Sequence, residues 1–84
     1  MGLFKSKNQR QLEAEIQVRQ CKTRVQRFIR NARKLQQRYW DLGKQALQIG
    51  DRRQFRQLAG AFTRTREHAN QWDCYLLQLE TLSV

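Results

Sequence analysis

Between Ile16 and Trp40 the chain carries Arg19, Lys22, Arg24, Arg27, Arg30, Arg33, Lys34 and Arg38 and no acidic residue. Guanidinium and ammonium groups at this density hold oxyanions, above all the phosphates of lipid headgroups or of nucleic acid. An ordinary solvated helix interleaves Glu with Lys at i,i+4 spacing, and that interleaving is missing in this stretch. Catalysis has far less to draw on. His68 is the one histidine and sits beside Glu67, while the other carboxylates are scattered, so no nucleophile, base and orienting group come together by spacing. There is no Gly-rich phosphate loop and no carboxylate cluster, so neither a cofactor nor a metal is expected, and an enzyme is disfavoured. Cys21 and Cys74 are too few and too isolated for a disulfide scaffold or a zinc site, which points to a reducing compartment.

The chain has 84 residues, 39% of them hydrophobic, with 17 Lys and Arg against 7 Asp and Glu and a formal charge of +10. A single small domain of this charge repels itself without a polyanionic partner. All the Lys and Arg residues lie in residues 1–66, whereas Glu67, Asp73 and Glu80 fall in the remainder. That polarity permits staggered head-to-tail contacts between copies that could run on as a filament. It equally permits an acidic helix end that neutralises part of a basic partner helix within one molecule. Both readings stand on the sequence.

The elements that must position these charges are helices. There is no proline and there are four glycines, too little punctuation for many short strands. Apolar residues recur at alternating spacings of three and four: Val18, Cys21, Val25, Phe28, Ala32, Leu35, Tyr39, Leu42, Ala46 and Ile49. A second stripe runs Phe55, Leu58, Phe62, Thr65, Ala69, Trp72, Leu76 and Leu79. Each is a heptad seam. Between them, Gly50 suits the end of one helix, and Asp51 with Gln54 three residues later suits the start of the next. The sequence therefore predicts an all-α fold: a long antiparallel two-helix hairpin resembling a coiled coil, with an N-terminal segment 1–6, a basic helix 7–49, a turn at Gly50 and Asp51, and a second helix 52–83.

Folded at Gly50, the hairpin sets Trp72, Tyr75 and Leu76 against the Val25 to Phe28 region. Cys21 and Cys74 then lie too far apart for a disulfide. On the first helix, Arg19, Arg27, Arg30, Arg33 and Lys34 are placed mainly opposite the seam, with Lys22, Arg24 and Arg38 at its edges. The seam is wider than one partner needs, because Ile16, Ile29, Trp40 and Leu47 flank it on one helix and Tyr75 and Leu82 on the other. Trp40, Leu47, Trp72, Tyr75, Leu79 and Leu82 are accordingly expected to serve self-association. The plainer alternative is a set of half-buried aromatics with no partner. Gly43 and Gly60 are candidate points of close approach or bending.

At the N-terminus, Gly2, Leu3 and Phe4 precede Lys5 and Lys7. Two apolar residues beside lysines suit shallow insertion into a lipid headgroup layer, and Met-Gly-x-x-x-Ser, ending at Ser6, fits the myristoylation pattern on Gly2. The longest apolar run, Cys74 to Leu77, is far short of the ~20 residues that span a bilayer. A cytoplasmic protein, peripheral on membranes, is the expected setting.

With these features in order, the chain resembles the N-terminal hairpin of ESCRT-III proteins, the charged multivesicular body protein group in the superfamily of phage shock protein A. The likeness rests on the Met1-Gly2-Leu3-Phe4 start, the long basic first helix, Ala46-Leu47-x-x-Gly50-Asp51, Leu58-Ala59, Thr63-Arg64-Thr65-Arg66 and Gln78-Leu79-Glu80-x-Leu82. The resemblance implies polymerisation on acidic phospholipid membranes, with itself and related ESCRT-III subunits, into filaments that bend and sever the bilayer. It implies membrane insertion by Leu3 and Phe4, and lipid contacts from the basic stretch Arg19 to Arg38. Family proteins usually continue through further helices and a C-terminal segment bound by an AAA ATPase, and nothing in this chain corresponds to that segment. Two rival readings keep their place beside it. A basic helical nucleic-acid-binding protein would use the same cations, although the aromatics fall on the packing stripes rather than among the arginines. A coiled-coil adaptor would use the flanking apolar residues and leave the charge unexplained.

Overall fold

The computed structural model describes residues 7–82. Helix α1 spans Lys7–Gln48 and helix α2 spans Arg52–Leu82. They lie antiparallel in a rod of 71 × 21 × 15 Å. Gln, Arg, Leu, Lys and Glu, all good helix formers, supply most of α1, and nothing before Gln48 forces it to stop. Gly2, Leu3, Phe4, Lys5, Ser6 and Ser83 lie outside the described residues, so the expectations placed on them carry over unchanged. None of the described helices is long and apolar enough to cross a membrane.

The turn is compact because each of its residues completes a helix end. Gly50 has φ +75°, the left-handed conformation that a residue without Cβ adopts readily. In that conformation its N–H donates to the Leu47 carbonyl at 3.1 Å, and the Asp51 N–H donates to Ala46 at 2.9 Å. These two bonds form a Schellman cap and satisfy carbonyls at the end of α1. Asp51 then begins α2: its Oδ1 accepts the Gln54 N–H at 3.0 Å, and its carbonyl accepts the Phe55 N–H at 3.0 Å. The first helix accordingly ends at Gln48 rather than Ile49, because Ile49 is the half-helical residue leading into the cap.

Packing follows the expected stripe on α2, where Phe55, Leu58, Phe62, Thr65, Ala69, Trp72, Leu76 and Leu79 are all buried or half-buried. On α1 the expected seam is met in part and is turned toward the next row. Val18, Val25, Ala32, Tyr39 and Ala46 face α2 and are joined by Lys22, Ile29, Gln36 and Gly43; of the companions expected from the sequence, Cys21 and Leu42 are half-buried, whereas Phe28 and Leu35 are exposed. The interface is thus turned toward that row, by less than the ~50° of one heptad position. Phe28 stays 49% exposed, Leu35 42% and Ile49 79%. Two features favour this phase. The buried Gly43 presents no side chain to Phe55, and Arg33 reaches Asp73 across the interface.

A Cβ built on Gly43 would lie 4.0 Å from Phe55 Cδ2, an ordinary van der Waals distance. Gly43→Ala should therefore raise stability by up to about 1 kcal/mol through helix propensity. Gly50→Ala should lower it by about 1–2 kcal/mol, because alanine must then hold a positive φ. Thermal melts followed by circular dichroism check both signs.

Candidate functional site

The eight cations of the first helix separate into two groups once α2 is in place. Arg33 belongs to the interface: its Nη2 donates to Asp73 Oδ2 at 2.7 Å and to Asn70 Oδ1 at 3.1 Å, and its Nη1 donates to Gln36 Oε1 at 2.9 Å. Lys22 also turns toward α2, with Nζ 3.7 Å from Glu80 Oε1. Arg33 was expected opposite the seam; the turn of α1 toward its row carries it to the edge instead, within reach of a carboxylate. Two of the three acidic residues of the α2 end are thereby engaged with α1, as an acidic helix end neutralising its partner would be.

The remaining six, Arg19, Arg24, Arg27, Arg30, Lys34 and Arg38, are exposed and meet no carboxylate among the described residues. Heptad position puts Arg27 and Lys34 on the back of α1, directly away from α2, with Arg24, Arg30 and Arg38 one row to either side. Arg19 stands nearer the Arg33 edge. From Arg24 to Arg38 the row runs about 21 Å along the axis. Successive charges fall within one Debye length at physiological salt, about 8 Å, so they raise one another's energy and share a common potential. Lys7 is exposed at the start of α1, apart from this row.

Apolar and aromatic side chains are distributed over both edges of the rod. On one, Phe28 stacks with Trp72 at 5.2 Å between ring centroids, and Trp72 meets Tyr75 edge-on at 5.9 Å. The Tyr75 hydroxyl is 3.8 Å from Cys21 Sγ, and this hydrogen bond raises the phenol above its ordinary pKa. On the other edge, Trp40 packs on Phe62 at 5.4 Å, and the Arg66 guanidinium stands 5.8 Å from the Phe62 ring. There an open groove of about 260 Å³ lies among Trp40, Leu47, Phe55, Leu58 and Ala59. Of the residues expected to serve self-association, Trp40, Leu47, Tyr75 and Leu82 are exposed, and Trp72 is half-buried. Leu79 is not available: it is 6% exposed, held inside the hairpin against α1.

Both cysteines are free, Cys74 exposed and Cys21 half-buried beside Tyr75. His68 is exposed on α2. No group of three or more His, Cys, Asp or Glu gathers among the described residues. What the arrangement offers chemically is a linear array of fixed cations beside exposed apolar rows. No family model, curated protein or solved structure matches the chain.

The two groups of cations should respond differently to substitution. In a double-mutant cycle with Arg33→Gln and Asp73→Asn, the half-exposed pair should show a coupling of no more than about 1 kcal/mol. Lys34→Gln, one residue away, should leave the unfolding free energy from urea denaturation within about 0.5 kcal/mol of the parent.

Proposed function

We propose that this hairpin is an ESCRT-III-like membrane-remodelling protein that binds acidic phospholipid surfaces through the exposed cations of α1 and assembles on them with copies of itself or related subunits. One observation carries the reading. Five cations between Arg24 and Arg38 line the outward side of one helix over about 21 Å, unanswered by carboxylates that α2 directs elsewhere. An array this long is costly to hold together in water, and an anionic plane relieves the cost along its whole length. Each Lys or Arg near an anionic leaflet contributes about 1 kcal/mol, so the row supplies several kcal/mol without a specific pocket.

Leu3 and Phe4 add shallow insertion in this reading, with Lys5 and Lys7 at the headgroups, and acylation of Gly2 would strengthen the anchor. Exposed Trp40, Leu47 and Leu82 supply apolar surface for contacts between copies, which the membrane concentrates in one plane. The hairpin stays peripheral throughout, on the cytoplasmic face.

Flotation with phosphatidylserine-containing and neutral vesicles at two salt concentrations tests the proposal, with electron microscopy of the floated fraction. Binding should be confined to the anionic vesicles and fall steeply with salt. Combined replacement of Arg24, Arg27, Arg30 and Lys34 by Glu should weaken it at least about a thousandfold. Leu3→Ser with Phe4→Ser should weaken it with a smaller change in salt dependence. Binding to oligonucleotides in place of either vesicle would overturn the membrane reading.

A further inference from the structure

The rotation of α1 leaves an apolar row where the sequence had placed core. Phe28, Leu35 and Ile49 lie along one edge of the rod over about 30 Å, each at least two-fifths exposed. Tyr75, 41% exposed, adds the α2 side of the same edge beyond the Phe28 and Trp72 stack. The next row of α1 outward holds Arg24 and Arg38, and the one beyond it Arg27 and Lys34. Around Leu35, Lys34 and Arg38, with Asp41 at one end, border a shallow depression floored by Leu35 and Leu42. An apolar strip bordered by cations is the cross-section of a helix that lies in a lipid interface.

We infer that the hairpin meets the bilayer on this edge rather than on the back of α1, with Phe28, Leu35, Ile49 and Tyr75 seated in the headgroup layer. The inference rests on the membrane-binding reading and specifies the orientation and the apolar half of the contact. Charge decides what covers the edge. The inter-helix ion pairs of Arg33 with Asp73 and of Lys22 with Glu80 both lie on the opposite edge. The α2 residues beside the apolar row, Thr65, His68, Trp72 and Tyr75, include no carboxylate; Asp41 on α1 and Asp51 in the turn approach its Leu42 and Ile49 end, against Arg24, Arg27, Lys34 and Arg38 along its length. A second copy laid on this edge would face arginines with arginines, which costs affinity. An anionic lipid surface answers both the charge and the apolar strip. Tyr75 and Trp72, apolar rings with one polar atom each, are the side chains such an interface favours.

The two native tryptophans stand on opposite edges, Trp72 against Phe28 and Trp40 against Phe62, and so report orientation. The full chain carrying Trp40→Phe leaves only Trp72, and Trp72→Phe leaves only Trp40. Each is bound to phosphatidylserine vesicles with brominated acyl chains, after circular dichroism has verified the helical fold. Trp72 should lose at least about twice the fraction of its emission that Trp40 loses, since interfacial burial reaches only about 5–10 Å. Leu35→Ser with Ile49→Ser, at exposed positions, should lower vesicle partitioning roughly tenfold.

Equal or stronger quenching of Trp40, or partitioning unchanged by the serine pair, overturns the edge orientation and leaves membrane binding standing. A lipid-free dimer in which Trp72 is already shielded from aqueous acrylamide overturns it in favour of a second copy. Failure of the parent chain to float with anionic vesicles overturns the inference together with the reading beneath it.

Discussion

A helix packed against one partner can bury one stripe of its surface, and α1 has more apolar rows than one stripe can hold. That constraint governs the rest of the molecule. Val18, Val25, Ala32, Tyr39 and Ala46 are shared by either choice of phase, so the hairpin forms whichever neighbouring row accompanies them. Choosing the row of Ile29 and Gly43 gives Phe55 room to approach the α1 backbone and brings Arg33 to Asp73. The row of Phe28 and Leu35 is then left at the surface, next to arginines. Neither apolar burial nor charge pairing alone sets this outcome; the phase is a compromise between them.

Much of the architecture was legible because it depends on strong local signals. The glycine and aspartate of the turn were identifiable from residue type, and their cap hydrogen bonds follow from the conformations those residues favour. The α2 stripe was legible too, since its flanking rows are mostly polar and leave one phase available. The α1 stripe was legible only in part. Apolarity favoured Cys21, Phe28, Leu35 and Leu42, whereas the interface accepted Lys22 and Gln36 because long polar side chains can lie along an interface with their heads at its rim. For the same reason the density of cations was evident from sequence, but not which of them α2 would occupy. Arg33 and Lys34 are adjacent in the chain and differ in role through 100° of helical rotation.

The interior is thin. Val25, Ala46, Ala69 and Leu79 are the buried apolar side chains among the described residues, and no buried polar side chain lacks a hydrogen-bond partner there. Two of the four are alanines, which let the helices approach closely but contribute little transfer free energy each. A rod so built offers most of its apolar surface outward, in rows rather than in a single patch, and that form suits extended contacts more than a bound small molecule.

Sequence separation across the hairpin grows with every step away from Gly50. Gly43 and Phe55 face each other near the turn, Arg33 and Asp73 are 40 residues apart, and Cys21 and Tyr75 are 54 apart. Closing a loop costs entropy that rises with its length, so the first contacts to form are those beside the Schellman cap, and pairing then advances toward the free ends. Folding is thus a zipper started at Gly50. Unzipping runs the other way, and the stretch of α1 that carries Arg19 and Arg24 is the first to lose its partner helix.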